Sequence, residues 1–262
     1  MSANEKPMLL RCDTSLADEY TSGPQRSRIL SELWLETNGY CLSCDGAFLR
    51  RTRANTRATD FICPGCNENY ELKAFRVQPQ KSLVDGAYNS LMGRILSGSA
   101  PTLMMLERNA NWEIQNFTAV HHLFLLPEVI EKRKPLSDSA RRAGWVGCKI
   151  RLDRIAADAK ISIIASGKAE DPRTVRRAFR RFENLKSVSP KSRGWTTLTL
   201  GVVLGLHTRL FTLKDIYDRE GDFASIYPSN NNVRAKIRQQ LQVLRDLGYL
   251  DFLGHGAYRA LV

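Results

Sequence analysis

No stretch of this chain is apolar for long enough to cross a membrane. Its opening residues, Met1-Ser-Ala-Asn-Glu-Lys-Pro7, lack the apolar core of a secretory signal. Both absences point to an intracellular protein, in a compartment where disulfides are rare. Acidic residues are in deficit: 27 Asp and Glu stand against 39 Lys and Arg, a formal charge of +12. Such an excess favours an anionic partner, nucleic acid before an anionic membrane. There are only 4 histidines, and His121-His122 lie in an apolar run that reads as structural, so no Ser/His/Asp or Cys/His catalytic set stands out. No internal repeat or low-complexity tract is present.

What remains is an ordinary globular composition, 43% hydrophobic and 25% charged, in 262 residues, long enough to bury a core unaided. Residues 1–23 are polar and mixed and read as a loose arm. A helix is expected over Gln25–Thr37, with Ile29, Leu30, Leu33 and Trp34 at helical spacing and Asn38-Gly39 as its stop. A basic loop holding Arg50, Arg51, Arg53 and Arg57 follows, then a strand from Tyr70 to Phe75. Ser82–Leu96 reads as one helix. Leu103–Glu107 and Trp112–Val120 read as a hairpin turning at Asn109-Ala-Asn111, and His121–Leu126 as an extension of the sheet. Short strands are expected at Gly147–Leu152 and Lys160–Ala165. Asp171-Pro172 should cap a helix that buries Val175, Phe179 and Phe182 and turns Arg173, Arg176, Arg177, Arg180 and Arg181 outward.

Four of the six cysteines form Cys41-x2-Cys44 and Cys63-x2-Cys66, separated by 18 residues. That spacing suits a four-thiolate structural Zn²⁺ better than a redox pair or buried free thiols. Cys12 and Cys148 have no partner at useful spacing and read as plain thiols. Around the second pair lie Asp60 and Glu71-Leu-Lys73. On a strand Glu71 and Lys73 share a face, and Asp60, entering the knuckle, would stand opposite them. Two carboxylates can hold Mg²⁺ and a lysine can steady transition-state charge, the chemistry of phosphodiester hydrolysis. The plainer alternative is a solvated strand face on which Glu71 pairs with Lys73. The zinc-stiffened hairpin and the basic, DNA-binding setting favour the site. Glu32 on the preceding helix either adds a metal ligand or is simply exposed, and reads as exposed.

Ser187–Ser192 reads as a linker, followed by helices near Trp195–His207, Leu213–Ser225 and Asn230–Leu247 and a hairpin turning at Gly254-His255-Gly256. Three helices and a ribbon make a winged helix. In its third helix Val233, Ile237, Leu241, Leu244 and Leu247 form the core face. Asn231, Asn232, Arg234, Arg238, Gln239 and Gln242 fall mostly outside it, the residue types that read base edges. Lys236, Arg245, His255 and Arg259 suit phosphate. A winged helix used for protein contact is the alternative. Arg141-Arg142 precede Trp145, which either packs half-buried or stacks against a base beside two phosphate-binding arginines. Trp34, Trp112 and Trp195 read as core.

The chain resembles the DpnI-type methyladenine-dependent restriction endonucleases along nearly its full length. The matching stretches include Asp60-Phe, the cysteine knuckle, Glu71-Leu-Lys73, Asp85-Gly-Ala-Tyr88, Arg133-Lys-Pro-Leu136, Ala140-Arg-Arg-Ala-Gly-Trp145, Ser192-Arg-Gly-Trp195 and the long Lys236–Asp246 run. The resemblance implies an α/β (α+β) fold: a PD-(D/E)xK nuclease domain with an inserted four-cysteine zinc site over 1–186, and a winged-helix domain over 187–262. It implies Asp60, Glu71 and Lys73 as catalytic positions, Cys41, Cys44, Cys63 and Cys66 as zinc ligands, and Trp145 within a DNA-contacting segment. Thr59 stands where the motif's name has proline, and the arm and the loop from Asp45 to Arg57 match less closely. The expected activity is Mg²⁺-dependent, methyl-directed cleavage of double-stranded DNA at N6-methyladenine GATC sites. The enzyme is expected to be a cytoplasmic, prokaryotic monomer that pairs transiently on DNA. The rivals are a non-catalytic zinc and winged-helix regulator, and a same-fold nuclease with another methylated or structural target.

Overall fold

Residues 7–53 and 59–262 are described by the computed structural model, so Arg57 of the basic loop lies outside the described residues. The expected first helix is α1 (Gly23–Asn38), with Pro24 in its first turn and Leu30, Trp34 and Leu35 buried. The segment before it is no loose arm. Cys12 is buried, Met8 and Leu10 are half-buried, and Leu9 and Arg11 are exposed. That period of two lays the segment on the core. Trp34 Nε1 donates to Leu9 O (2.7 Å), and Arg11 bridges to Glu113.

A seven-stranded sheet follows: β1 (Arg50–Arg51), β2 (Phe61–Ile62), β3 (Asn69–Phe75), then β5 (Thr102–Arg108), β6 (Ile114–Val120), β9 (Lys160–Ala165) and β10 (Lys168–Ala169), hydrogen-bonded in that order. Only β3 and β5 among these neighbours run parallel, with Glu71 beside Leu103 and Lys73 beside Met105. Strand β5 is apolar without alternation because both of its faces are covered. Met104 and Leu106 join α1, Phe117 and Phe179 in one core, while Leu103 and Met105 join Leu91 and Trp195 in the other.

The chain between β3 and β5 departs from the single helix expected. Ser82–Ala87 is strand β4, and only Tyr88–Leu96 forms helix α2. Gly86 disfavours helix, and β4 gains a partner remote in sequence, β8 (Gly147–Arg151), pairing Asp85 with Cys148. Strand β7 (Ile130–Lys132) completes a second, three-stranded sheet. His121–Leu126 is likewise not a strand: His122–Phe124 is a 3-10 turn, and His121 Nδ1 accepts from Leu123 N–H. Helix α3 (Pro172–Arg180) is capped by Asp171 as expected.

Ser187–Ser192 is not a linker. Glu183–Ser187 is a 3-10 turn, and Pro190 already begins α4 (Pro190–Leu204). Beyond it come β11 (Leu210–Thr212), α5 (Leu213–Tyr217), α6 (Glu220–Ile226), α7 (Val233–Asp246), β12 (Leu250–Gly254) and β13 (Ala257–Ala260). The expected second helix is thus two short ones, with a capping box of Thr212 and Asp215 starting α5. The wing has three strands in the order β11-β13-β12.

One buried core runs from Leu83 and Leu91 through Trp195 and Leu200 to Ile237 and Leu250, so the winged helix is packed onto the rest of the chain. Helix α4 makes this possible with small residues. A Cβ on Gly201 would lie 2.8 Å from the Ala156 Cβ, and one on Gly194 would meet the Tyr227 hydroxyl and the Glu128 carboxylate. Leucine is a good helix former, so any loss in Gly201→Leu must come from packing. That variant is expected to lose about 1–3 kcal/mol, read as a lower urea midpoint.

Candidate active site and metal centre

The alternation of β3 sends its side chains to two different tasks. Tyr70 points to one face, where its hydroxyl accepts from Leu42 N–H (3.0 Å) and lies 3.2 Å from Cys41 Sγ. Glu71 and Lys73 fall on the other face. The antiparallel register of β2 and β3 pairs Phe61 with Tyr70, which sets Asp60 opposite Glu71. The thiol cluster and the carboxylates therefore share one strand without sharing a surface.

Cys41, Cys44, Cys63 and Cys66 bring four Sγ atoms within 4.8 Å of one another. Backbone N–H groups already point at the sulfurs: Cys44 to Cys41, Gly46 to Cys44 and Gly65 to Cys63, at 3.3–3.4 Å. Burial opposes ionisation of Cys63, but the Cys66 and Gly65 amides outweigh it and lower its pKa. Four soft thiolates in a closed cluster suit Zn²⁺ and leave no position for substrate. Gly46 keeps the turn tight, since a Cβ there would sit 3.1 Å from Cys63 Sγ.

Two of the arginines expected to face outward on α3 brace this cluster instead. Buried Arg176 donates from Nε to Cys41 O (3.0 Å) and from Nη2 to Gly46 O (3.3 Å). Arg180 donates to Ser43 O and pairs with Asp45 at 2.7 Å. Arg181, just past the helix, pairs with Asp158. Arg173, in contrast, is exposed. The Cys41 and Gly46 carbonyl oxygens, the second also accepting from Cys41 N–H, draw the guanidinium inward. Arg176→Met is expected to cost about 1–3 kcal/mol and to speed zinc release to a chelator, measured with a colorimetric zinc dye.

On the other face the carboxylates are held closely. Asp60 Oδ2 accepts from Leu72 N–H (2.8 Å), which fixes the side chain against β3. Glu71 is buried, and Lys73 Nζ lies 2.7 Å from its Oε1. A third carboxylate, Asp85 on β4, lies 2.6 Å from the same ammonium and was not among the expected site residues. Burial pushes Glu71 up to about 7, reinforced by Asp85 and Asp60 and opposed by Lys73. Burial would lower Lys73, but Glu71 and Asp85 overcome it and raise its pKa. Two carboxylates flank one ammonium, and Asp60 stands opposite Glu71 across the β2–β3 pairing. Carboxylate oxygen is the donor type that a hard divalent cation such as Mg²⁺ takes. Arg94 of α2 donates to the Thr59 hydroxyl and to Ser99 O, steadying the residue before Asp60. Glu32 is not exposed: its carboxylate is held by Arg28 and Arg51.

Arg141 and Arg142 are exposed, and Arg142 lies over the half-buried Trp145 ring at 4.8 Å. The ring packs on Gly147, beside the end of β4 that carries Asp85. In α7, Arg234 pairs with Glu220 and Arg238 donates to the Tyr217 hydroxyl. Gln239, exposed like Gln242, accepts from Lys236. Exposed Asn231 and Asn232 border an open polar hollow with Lys236 and Gln239 at the start of α7. His255 sits at the wing tip with φ 48°, and Arg259 is exposed 3.9 Å from Asp251. Trp34 and Trp195 are buried, whereas Trp112 is half-buried under Arg108. His121 is fully buried and stacked on Phe179, and His122 faces Glu68 at 2.9 Å, both structural. No helix among the described residues is long and apolar enough to cross a membrane.

Comparison with known protein families matches residues 8–188 to the DpnI, Dam-replacing family and residues 191–260 to the Dam-replacing HTH domain. The matches imply a nuclease of the methylation-dependent restriction type, with an HTH domain that binds DNA. With its mixed sheet, its four-thiol cluster and its C-terminal helix-turn-helix, the chain belongs to the DpnI, or Dam-replacing, family.

Proposed function

We propose that this chain is a Mg²⁺-dependent, methyl-directed type II endonuclease that hydrolyses DNA at N6-methyladenine GATC sites through a PD-(D/E)xK site of Asp60, Glu71 and Lys73. The observation that carries this reading is the placement of buried Glu71 opposite Asp60, with the Lys73 ammonium 2.7 Å from it. Asp60 and Glu71 would hold the magnesium ion. When bound, the ion supplies Lewis-acid polarisation of the scissile phosphate and a lowered pKa for water. Lys73, kept charged by its carboxylate neighbours, orients the attacking water and offsets charge growing on the phosphate oxygens. Asp60, fixed to the Leu72 amide, keeps its geometry without substrate. Zinc at Cys41, Cys44, Cys63 and Cys66 is scaffold.

The division of labour falls at 186/187, with the nuclease domain before it and the winged helix after it. The winged helix adds a second readout of the site through Asn231, Asn232, Arg234, Arg238, Gln239 and Gln242, with His255 and Arg259 on phosphate. Arg141, Arg142 and Trp145 serve the nuclease domain's own contact. Adenine methyls are read by apolar or aromatic contact in the major groove, contacts that an unmethylated site leaves empty. A single catalytic set per chain fits a cytoplasmic monomer that nicks the strands in turn or pairs transiently on DNA.

The test uses adenine-methylated and unmethylated plasmid, with and without Mg²⁺. Cutting of the methylated plasmid alone, and only with Mg²⁺, is expected. Cutting of both equally would remove methyl dependence. Salt-sensitive binding without any cutting would identify a regulator.

A further inference from the structure

Asp85 is a buried acid that the Asp60, Glu71 and Lys73 chemistry leaves unused. Its side chain is 2% exposed, and burying a carboxylate is costly unless it is paired and hydrogen-bonded. Its partners are members of the candidate site. Oδ1 lies 2.6 Å from Lys73 Nζ, and Nζ in turn lies 2.7 Å from Glu71 Oε1. Asp85 also comes from a different sheet, on β4, paired to Cys148 of β8, whereas Glu71 and Lys73 stand on β3. The Lys73 ammonium is thus gripped from two sheets, by Glu71 along its own strand and by Asp85 across the gap.

These two grips are not equivalent once the site is loaded. A Glu71 carboxylate that ligates a divalent cation has less charge to offer Lys73, and the cation repels the ammonium. The lysine side chain is flexible and carries high rotamer entropy. Asp85 would then be what keeps Nζ in place. We infer that Asp85 is a positioning residue, which holds the Lys73 ammonium at the reacting phosphate while Glu71 serves the metal. This rests on the site proposed above.

The test compares wild type, Asp85→Asn, Asp85→Glu, Lys73→Met and the Asp85→Asn/Lys73→Met double variant on a methylated GATC duplex. Single-turnover rates are measured with Mg²⁺ titrated, and duplex binding by anisotropy without added Mg²⁺. Asp85→Asn is expected to lower the maximal rate about 10- to 100-fold. The Mg²⁺ midpoint and the duplex Kd should stay within about twofold of wild type, and Asp85→Glu should recover part of the rate. In the Lys73→Met background, Asp85→Asn should cost less than about twofold more, because residues acting as a unit are not additive. An unchanged rate, a multiplicative double loss, or a weakened Kd would overturn the inference. A tenfold shift of the Mg²⁺ midpoint would overturn it in favour of Asp85 as a metal ligand.

A second arm needs no cleavage. Asp85→Asn should lower the urea midpoint alone but raise it on top of Lys73→Met, where Asp85 and Glu71 otherwise face each other unshielded. Additive midpoints would refute the pairing. Failure of the wild type to cut would instead sink the nuclease reading, and this arm would still report on the pair.

Discussion

Lys73→Met should slow cleavage of methylated DNA by about 10²- to 10³-fold while the protein still binds the duplex. The expectation follows from where the charge sits. Lys73 is the cation beside Glu71 and Asp85, at 2.7 and 2.6 Å, and its side chain is still 25% exposed. It can therefore meet a phosphate while anchored from below. Methionine keeps the length of the side chain and its packing but removes the charge, so the loss should appear in the rate constant more than in duplex affinity. Lys73→Arg should not restore the rate, because a planar guanidinium cannot occupy a point-charge position between two buried carboxylates. The measurement is a single-turnover rate beside a Kd for the same duplex. A rate within a few-fold of wild type would place the chemistry elsewhere.

Removing zinc should have the second large effect, although no cysteine faces the carboxylates. Binding free energy at a structural zinc is folding free energy, on the order of 10 kcal/mol in small domains, comparable with the whole stability of a typical protein. Here the loss would spread along a short path. Cys41 Sγ meets the Tyr70 hydroxyl, and Tyr70 precedes Glu71 on β3. Without the ion, burial holds the Cys41 thiol up at about 11, which favours its uncharged form. We expect one zinc per chain, a large fall in Tm on chelation, and loss of cleavage. Returning Mg²⁺ alone should not restore cutting, whereas returning Zn²⁺ and Mg²⁺ together should. An unchanged Tm after complete stripping would contradict the scaffold role.

The parts of this architecture that were legible in the sequence are those set by local spacing. Two Cys-x2-Cys turns predict a four-thiol cluster, and the four Sγ atoms do gather within 4.8 Å. Period-two alternation places Glu71 and Lys73 on one face, and a hairpin through the knuckle sets Asp60 opposite them. Asp85 was hidden because Ser82–Leu96 has apolar residues compatible with a single helix. Only the pairing of β4 with β8, across some sixty residues, makes Ser82–Ala87 a strand and turns Asp85 toward Lys73. Arg176 was misjudged for a related reason. Amphipathic patterning sends arginine to solvent, yet Arg176 donates to the carbonyls of Cys41 and Gly46, which no local pattern places beside it. The linker expected at Ser187–Ser192 failed because Ser and Pro mark a helix start as readily as a loop. Gly194 and Gly201 carry no local sign that a second surface lies against them. In each case the deciding partner is remote in sequence.

The central claim is that Asp60, Glu71 and Lys73 cut DNA at methylated adenine. It is tested most directly with one end-labelled duplex carrying a single methylated GATC site, incubated with Mg²⁺ and either wild type or Glu71→Gln. Cleavage at the GATC by the wild type, with the variant binding the duplex but leaving it intact, is the result expected from the buried Glu71 opposite Asp60. An uncut duplex with wild type, or equal cutting by the variant, would contradict the account.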